Sequence, residues 1–526
     1  MTQLLTYIVS LSTAAALYCI GLVLYRLFFH PLASFPGPKL AAVTLWYERY
    51  FDIFKSPGGT YMHEIDRIHE KYGPIVRVNP HELHIKDSEY YDVLFCSPSQ
   101  GIRNKYITTR NMSGGPLGLH STLDHEQHRK RRAAINPLFS KKSVLAAEPM
   151  VQDMVNKLCA YFLSASSEGK VIDLKSAFGA LAEDVVQEYS LKANMGYLDD
   201  EQRALEWRET FDGIIGATSI GKQFGWVRPL MMSLPLGVLR WLSPPAARLM
   251  EFQNKLHKQA VAAISEFSNH NTHEKKAKLD KRQHENPLFK AILAASHLPD
   301  DDKMPMRIRD EALTVVGAGG DTTARVLSYM TFFMGLHKDT ILPKLRKELE
   351  SVMADPNMGL DWKTAEQLPY LTAVIKESLR ITTTIVSRLP LLSPIPITYK
   401  SYTIPPNTPI SMSPRDVLLD PSIFPSPLTF DPSRWLPSNP DLPRLNRFFV
   451  PFSRGSRMCI GLNLAYAELY LAAGCVFRRF DVEVWDTEWE RDLEVVSDFF
   501  VGEPRKGSRG IRAKMRAVEG YQGIRS

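Results

Sequence analysis

The chain has 526 residues, of which 44% are hydrophobic and 23% are charged, and its formal net charge is +7. This globular composition excludes a largely disordered or fibrous protein. An excess of seven positive charges over so large a surface gives weak support for an acidic partner or a membrane surface, and none specifically for nucleic acid.

The first residues form an apolar run. Residues 4–25 carry no charged side chain, and as an α-helix they would span roughly 33 Å, enough to cross a bilayer. Arg26 and Lys39 follow, which favours a cytosolic location for the rest of the chain. We predict a single-pass anchor at 4–25 and a stiff, proline-rich hinge at 26–40. The alternative, a signal peptide cleaved at the alanines 14–16, is disfavoured because the apolar run continues past them and no basic residue precedes it.

Long helical patterns dominate the remainder. They predict helices at 122–134, 141–164, 176–195, 200–219, 246–268, 308–336, 339–354, 369–381 and 460–480. Strand-like segments are short and lie at 74–87 and 395–413. The charged segment 269–286 predicts a surface loop. Because no linker is evident after residue 40, we predict one mainly α domain with a small sheet, residues 41–526.

The five cysteines are Cys19, Cys96, Cys159, Cys459 and Cys475. They are odd in number and far apart, and no CxxC pair occurs among them. This spacing argues against a disulfide framework or a zinc cluster and favours a reducing compartment. One reactive thiolate among buried cysteines fits the pattern better.

The phrase FSRGSRMCIG places Cys459 just before a helical pattern, where a thiolate is favoured by the helix dipole and free N–H groups. Gly455 and Gly461 allow a flat ligand to come close. Arg457 is suited to an anionic group of that ligand, and Phe452 to packing against its plane. A lone cysteine is ordinarily a small buried hydrophobic residue, but the whole phrase favours a ligand-binding role.

This phrase resembles the haem-binding loop of the cytochrome P450 family. The resemblance implies the mainly α fold of that family, with small sheets. It also implies a haem b (iron protoporphyrin IX) cofactor whose iron has the Cys459 thiolate as its axial ligand.

A second motif, AGGDTT, lies inside the helical pattern 308–336. Its glycines suggest close backbone approach or a local distortion, and Asp321 and Thr322 follow directly. A carboxylate and a hydroxyl at such a place can hold water and pass protons. The alternative is a glycine kink with local hydroxyl hydrogen bonds. The resemblance implies that Thr322 and Asp321 deliver protons for dioxygen activation.

Three further charged positions match the family's structural cluster. Glu377 and Arg380 are spaced i, i+3 on a predicted helix, so their side chains can pair. By resemblance, Arg434 in the phrase FDPSRW joins them in a buried ionic cluster. We assign these three residues a structural role.

The resemblance also implies partners for the haem propionates. Arg132 matches the family's arginine in the helix beside the propionates, and His128 stands where the family usually has tryptophan. Arg388 is a further predicted propionate partner. The family's prolines after the Glu-x-x-Arg motif are replaced by three threonines, which changes the expected backbone of the nearby pocket wall.

The motifs together predict a membrane-anchored haem-thiolate monooxygenase of the endoplasmic reticulum. It would insert one oxygen atom from dioxygen into a lipophilic substrate, and the resemblance implies that its electrons come from the membrane-bound NADPH-cytochrome P450 reductase. Resemblance to filamentous-fungal, trichodiene-oxygenase-like members suggests a terpenoid or another secondary-metabolite intermediate. Residues predicted to face the reductase are Arg129, Lys130, Arg131, Arg454, Arg478 and Arg479. Apolar residues predicted to line the pocket are Ile102, Phe211, Ile214, Phe224, Val315, Ile385, Val386, Phe499 and Phe500.

Two alternatives remain open. One is a haem-thiolate isomerase or dehydratase that does not use dioxygen, against which the intact Asp321–Thr322 pair argues. The other is a non-enzymatic haem binder or sensor in the membrane. Oxygen from labelled dioxygen in the product separates the first from a monooxygenase, and substrate-linked consumption of NADPH and dioxygen excludes the second.

Overall fold

The computed structural model describes residues 1–193, 195–272 and 286–523. The first helix, α1 (Thr2–Leu24), continues as a π-helical turn at Tyr25–Phe29. The span Gln3–Phe29 is long and apolar enough to cross a membrane, and its most apolar 18-residue window is not buried by the rest of the described chain.

The domain that follows is mainly helical. Its first part contains α2 (Lys39–Val43), α3 (Trp46–Arg49), α4 (Tyr61–Tyr72), α5 (Tyr91–Leu94), α6 (Ile107–Met112), α7 (His125–Ile135) and α8 (Lys141–Ala146). Its middle contains α9 (Glu148–Glu168), α10 (Leu174–Leu191), α11 (Glu201–Gly216), α12 (Thr218–Gln223), α13 (Val227–Met232), α14 (Leu236–Leu242), α15 (Pro244–Thr272) and α16 (Pro287–Ala294). Its last part contains α17 (Pro305–Leu336), α18 (Leu342–Glu350), α19 (Trp362–Glu366), α20 (Pro369–Thr382), α21 (Pro414–Leu418), α22 (Leu442–Arg447) and α23 (Leu462–Arg479).

Most predicted helices are present within a few residues of their expected ends, but two are divided, 200–219 at Ala217 between α11 and α12 and 141–164 at Ala147. The pattern 141–164 forms two helices, α8 and α9, which meet at Ala147. Pro149 lies in the first turn of α9, where its missing N–H costs nothing, whereas inside a continuous helix it would break the ladder. Of the predicted loop 269–286, residues 269–272 end α15, and 273–285 lie outside the described residues.

The strands are short. They are β1 (Ile75–Arg77), β2 (Leu83–Ile85), β3 (Asn104–Lys105), β4 (Ile172–Asp173), β5 (Leu391–Leu392), β6 (Ile397–Tyr399), β7 (Tyr402–Ile404), β8 (Ile410–Ser411), β9 (Phe480–Val484), β10 (Ser497–Phe499), β11 (Val501–Glu503) and β12 (Arg512–Ala517). A five-stranded sheet has the order β1-β2-β8-β5-β3, with β2 and β8 parallel and the other pairs antiparallel. Both predicted strand segments contribute to it or to the β6–β7 hairpin. The pattern did not predict the three-stranded sheet β4-β12-β9 or the hairpin β10–β11.

Helix α17 is the centre of the domain and packs against α10, α15, α20, α23 and β9. It runs without interruption through the glycines of the AGGDTT motif, so these glycines serve close approach and not a distortion. A Cβ atom on Gly319 would lie 2.6 Å from Cγ2 of Val186, and one on Gly320 would overlap the carboxylate of Glu183. Both neighbours belong to α10, which therefore lies directly on the backbone of α17.

We predict that Gly319→Ala destabilises the fold. The added methyl group would press on Val186, a stiff β-branched side chain, and overpacking of this kind costs about 1–3 kcal/mol. Gly179→Ala is the matched control, because it lies inside α10 with no atom within 4 Å of the new methyl group. The control should leave stability unchanged or raise it by up to about 1 kcal/mol. Urea unfolding followed by circular dichroism measures both, and equal midpoints would contradict the assigned role of Gly319.

Candidate active site

The segment 452–461 forms a tight loop before α23. The amide of Cys459 donates to the carbonyl of Phe452 at 2.9 Å, which closes the loop. Ser453 and Gly455 have φ angles of 56° and 68°, in the left-handed region. A Cβ atom on Gly455 would overlap the carbonyl oxygen of Cys96, so this position accepts only glycine without a shift of the backbone. The loop is thereby fixed against the segment that follows α5.

The sulfur of Cys459 lies in an unusual environment. The residue is accessible to solvent, yet surrounding protein raises the pKa of its thiol. A hydrogen bond from the Gly461 amide and the charge of Arg132 act in the opposite direction and favour the thiolate. A group that is both accessible and enclosed faces a cavity, and we interpret the surface beside Cys459 as the wall of one. Helix α23 begins three residues later, at Leu462, behind its N-cap Gly461.

Two of the residues predicted to bind an anionic group of the ligand meet at this loop, Arg457 within it and Arg132 against it. Arg132 on α7 donates to the carbonyl of Met458 at 2.6 Å. Arg457 donates to the carbonyl of Thr122 at 2.7 Å, which joins the loop to the segment that leads into α7. Burial lowers the pKa of both guanidinium groups, that of Arg457 to about 10. Within the described residues neither group forms an ion pair with a carboxylate.

His128 is buried in the same region. Burial, and then the charges of Arg457 and Lys105, hold its pKa far below the usual value, so the imidazole is neutral. A neutral imidazole remains able to donate one hydrogen bond to an anion. The structure thus brings Arg132, Arg457 and His128 together beside Cys459, as the sequence predicts. The ring of Phe452 lies 5.3 Å from the ring of Tyr466 on α23.

Lys105 joins Arg132 and Arg457 in a cationic cluster that also contains His128 and His120, and neither Lys105 nor His120 was predicted from the sequence. Lys105 on β3 is buried, and its Nζ donates to the carbonyl of His120 at 2.7 Å. Burial, followed by the charges of Arg457 and Arg132, holds the pKa of Lys105 well below its usual value. Neither residue belongs to a motif, and only the packing of β3 and the 115–123 loop against α7 brings them to the site. The cluster has an excess of positive charge and fits a ligand with two carboxylates, such as haem.

Helix α17 presents an accessible strip in its centre. Ala318 is exposed and Thr322, one turn later, is partly exposed, although the helix is surrounded by other elements. Exposure in such a place again requires a cavity. The hydroxyl of Thr322 donates to the carbonyl of Ala318 at 2.9 Å. Since α17 packs against α23, we interpret this strip and Cys459 as two walls of one cavity.

Asp321 faces a different direction from Thr322. It is buried, and its carboxylate lies 3.3 Å from Nζ of Lys175 and 3.4 Å from the guanidinium of Arg325. Burial favours the neutral acid, but these two charges outweigh it and lower the pKa of Asp321. Asp321 also lines a cleft between α10, α11 and α17, together with Lys175 and Glu183. Burial raises the pKa of Glu183 to about 8.

Arg388 lies apart from the cationic cluster. Its guanidinium is buried and pairs with Glu48 at 2.8 Å and with Glu82 at 2.7 Å, while it lies 5.1 Å from the ring centre of Tyr61. Two carboxylates already neutralise this group. Its role as a propionate partner stays a prediction, and the geometry disfavours it.

Glu377, Arg380 and Arg434 come together as the sequence predicts. The carboxylate of Glu377 lies 2.7 Å from the Arg380 guanidinium and 3.4 Å from that of Arg434. The indole of Trp435, which the sequence did not suggest, donates to the same carboxylate at 2.8 Å. Glu377 and Arg380 have no exposed surface.

Three of the arginines predicted to face the reductase are buried inside the domain. Arg131 is buried in an ion pair with Asp302 at 2.5 Å, and Arg478 and Arg479 are buried and donate to carbonyls of the segment 353–358. These three arginines therefore cannot form a docking surface.

Of the apolar residues predicted to line the pocket, some lie near the cationic cluster and others lie away from it. Among the apolar residues, the ring of Phe500 lies 5.4 Å from that of His120, close to the cationic cluster. Phe224 packs instead on Trp46 of the N-terminal segment, with ring centres 6.3 Å apart.

We predict that Glu377→Gln severely destabilises the fold. The substitution leaves Arg380 charged and buried without its carboxylate, which costs about 3–5 kcal/mol. Glu126→Gln is a matched control, because Glu126 and Arg129 have the same spacing but are 54% and 59% exposed. The control should cost less than about 1 kcal/mol. Urea unfolding midpoints measure the difference, and similar losses in the two variants would refute the structural role.

Comparison with known proteins accords with this geometry. Residues 46–505 match the cytochrome P450 family model. The chain is 38% identical over 500 residues to a tryptophan 6-hydroxylase of Fusarium equiseti, covering 95% of each protein. It is 37% identical over 519 residues to a cytochrome P450 monooxygenase of Sordaria araneosa, covering 97% of this chain and 98% of the relative. It is 35% identical over 499 residues to a conidiogenone synthase of Penicillium rubens, covering 95% and 97%.

These matches confirm the predicted fold and the predicted reaction class. Family membership implies a haem cofactor, a redox partner that supplies electrons, and a lipophilic substrate. The chain belongs to the cytochrome P450 family, and it is a monooxygenase that oxygenates a biosynthetic intermediate.

Proposed function

We propose that the enzyme inserts one oxygen atom from dioxygen into a C–H or C=C bond of a lipophilic secondary-metabolite intermediate, on a haem whose iron is ligated by Cys459. One observation carries this proposal: an accessible but enclosed thiol lies beside a buried group of cations that the protein does not neutralise. When bound, the haem supplies the redox chemistry of dioxygen activation, which thiolate ligation favours.

The residues of the chain hold and orient the cofactor. The Gly461 amide and Arg132 stabilise the Cys459 thiolate, and the closed 452–461 loop fixes the direction of the sulfur. Arg132, Arg457 and neutral His128 would bind the propionates, and Phe452 packs on Tyr466 of α23, which supports the loop.

We assign proton supply to Asp321 and Thr322. Asp321 lines a cleft at the surface of α17 and is held there by Lys175 and Arg325. Thr322 is the next residue and its hydroxyl lies on the accessible strip. Asp321 accepts a proton from the cleft, and Thr322, about 100° further around the helix, presents its hydroxyl to the cavity. Because Asp321 is ionised, it accepts a proton before it donates one.

We also propose that α1 anchors the enzyme in the endoplasmic reticulum membrane, with residues 41–526 on the cytosolic side. The exposed, apolar helix and the basic residues Arg26 and Lys39 after it support this orientation. Electrons would come from NADPH through the membrane-bound P450 reductase.

Two substrate classes are supported. The resemblance to trichodiene-oxygenase-like enzymes favours a terpenoid. Relatives named for tryptophan 6-hydroxylation and N-acetyltryptophan 6-hydroxylation, 38% and 34% identical, favour an aromatic amino-acid derivative. Product analysis with both classes, in the presence of the reductase, distinguishes them.

We predict that Cys459→Ser abolishes the thiolate-type Soret band of the reduced, CO-bound protein, because serine cannot supply the thiolate ligand. Cys475→Ala is the control, since this buried cysteine lies on α23 away from the loop. The control should retain the thiolate-type band. A thiolate-type band in Cys459→Ser would show that another residue is the ligand.

We predict that Thr322→Ala raises the amount of peroxide formed per NADPH consumed by at least about tenfold and lowers product, because loss of the hydroxyl removes a positioned proton donor. Thr322→Ser keeps a hydroxyl and should stay near wild type. Peroxide and product are quantified with labelled dioxygen, and wild-type product should contain the label. Unchanged coupling in Thr322→Ala would remove this residue from the proton route, and unlabelled product would refute monooxygenation.

A further inference from the structure

We propose that Glu183 of α10 supplies the proton that Asp321 passes on, and that Glu183 is reprotonated from the cleft between α10, α11 and α17. The inference rests on the proposed proton supply through Asp321 and Thr322. It adds a residue that belongs to no motif of the sequence and that acts only through Asp321.

Glu183 lies directly on the backbone of α17, beside the residue that precedes Asp321. Its side chain is buried, and a Cβ atom on Gly320 would overlap its carboxyl group at Oε1. The absence of a side chain at Gly320 is therefore what admits the carboxyl group to this position. The other oxygen, Oε2, accepts a hydrogen bond from the side-chain amide of Gln187 at 3.1 Å, which fixes the orientation of the group.

Glu183 and Asp321 line the same cleft. The cleft has a volume of about 400 Å³, part of it open to solvent, and its walls also include Gly320 and Lys175. A polar space of this size admits water, which can bridge two polar groups that do not touch. The two carboxyl groups therefore share one hydrated space, through which a proton can pass between them.

The two carboxyl groups differ in their protonation. Asp321 lies beside Lys175 and Arg325, which lower its pKa and keep it ionised. Glu183 forms no ion pair with any residue that the structure describes, and burial raises its pKa to about 8. Glu183 is thus protonated at neutral pH. A proton donor is most effective when its pKa lies near the working pH, and of these two acids only Glu183 meets that condition.

The titratable groups around Glu183 favour its protonated form. After burial, the charges of Asp184 on α10 and Asp321 on α17 raise its pKa further. Glu468 on α23 interacts with Glu183 and is itself held neutral by burial, which raises its pKa well above the usual value. The remaining titratable groups on the elements around it are Tyr197, Lys175, Arg208 and Asp212. Both cations of that set pair with aspartates, so neither neutralises Glu183.

The proposed step is a proton transfer without electron transfer. The O–H bond of Glu183 breaks, a water molecule in the cleft carries the proton, and an O–H bond forms on Asp321. Because Asp321 has the lower pKa, it holds the proton only in passing and is ionised again once the proton has left toward Thr322. The Glu183 carboxylate then takes a proton from solvent in the cleft.

The test measures NADPH-linked dioxygen consumption by the purified, full-length holoenzyme with the reductase, without added substrate, between pH 6 and pH 9. In the wild type, the rate should fall as the pH rises through about 8, because only protonated Glu183 donates. Glu183→Gln keeps the shape of the side chain but has no proton to give. We expect it to be at least about tenfold slower at pH 7 and to lack this inflection.

Two further variants complete the comparison. Glu183→Asp keeps an acid and should recover at least about a third of the wild-type rate, with its inflection at a different pH. Glu188→Gln is the matched control on the same helix, since Glu188 pairs with Lys192 at 3.4 Å and is partly exposed. Its rate and inflection should equal those of the wild type. The rate at which the reduced, CO-bound form appears should be the same in all variants, because this first reduction needs no proton from the cleft.

An infrared measurement tests the protonation of Glu183 without turnover. The wild-type spectrum minus that of Glu183→Gln should contain the C=O band of a protonated carboxylic acid, and this band should disappear as the pH rises through about 8. If Glu183→Gln does not fold, Glu183→Asp replaces it, and the pH of the kinetic inflection must then move with the substitution.

A wild-type rate and inflection in Glu183→Gln would overturn the proposal. A slower Glu183→Gln that keeps the wild-type inflection would also overturn it and leave Glu183 a structural role. Asp321→Asn should be slowed at least as much as Glu183→Gln. An unchanged rate in Asp321→Asn, or a wild-type protein that binds no haem, would instead refute the proposed function, so the two failures are distinguishable.

Discussion

The site depends on an imbalance of charge. Around the cysteine loop, Arg132, Arg457 and Lys105 are gathered with two imidazoles, and the described chain places no carboxylate in an ion pair with any of the three. Two other buried cations, Arg388 and Lys222, are neutralised by carboxylates, whereas the buried Arg478 and Arg479 donate to backbone carbonyls. The cost of gathering unpaired cations is offset when an anionic ligand binds, and this couples completion of the fold to the cofactor.

The packing of α10 on α17 shapes the wall of the cavity formed by α17. Gly319 and Gly320 let α10 lie on the backbone of α17, which leaves one strip of the central helix free to face the cavity. At Asp321 and Thr322 the helical rotation separates two neighbours into two environments, an ionic network and an accessible wall. A single peptide bond thus joins the solvent-facing cleft to the cavity.

The long helices and the cysteine loop could be predicted from the sequence, because both depend on local sequence patterns. Helical periodicity predicted α9, α10 and α17. One contiguous phrase of the sequence predicted the cysteine loop with Arg457. The trio around Glu377 required family resemblance, since an i, i+3 pair has little meaning alone. Lys105, His120 and the partners of Arg388 could not be predicted, because contacts between residues 82 and 388, or 105 and 120, depend on sheet register and loop packing.

The pairing of Lys222 with Asp52 and Glu48 has a mechanical consequence. Helix α12 carries Lys222, while the two acids lie in the segment that leads from the anchor into the domain. Displacement of α12 alone would separate buried opposite charges, so these ion pairs oppose movement of the helix relative to residues 48–52. A force applied through the amino-terminal helix would therefore reach α12 through the ion pairs of Lys222 with Asp52 and Glu48.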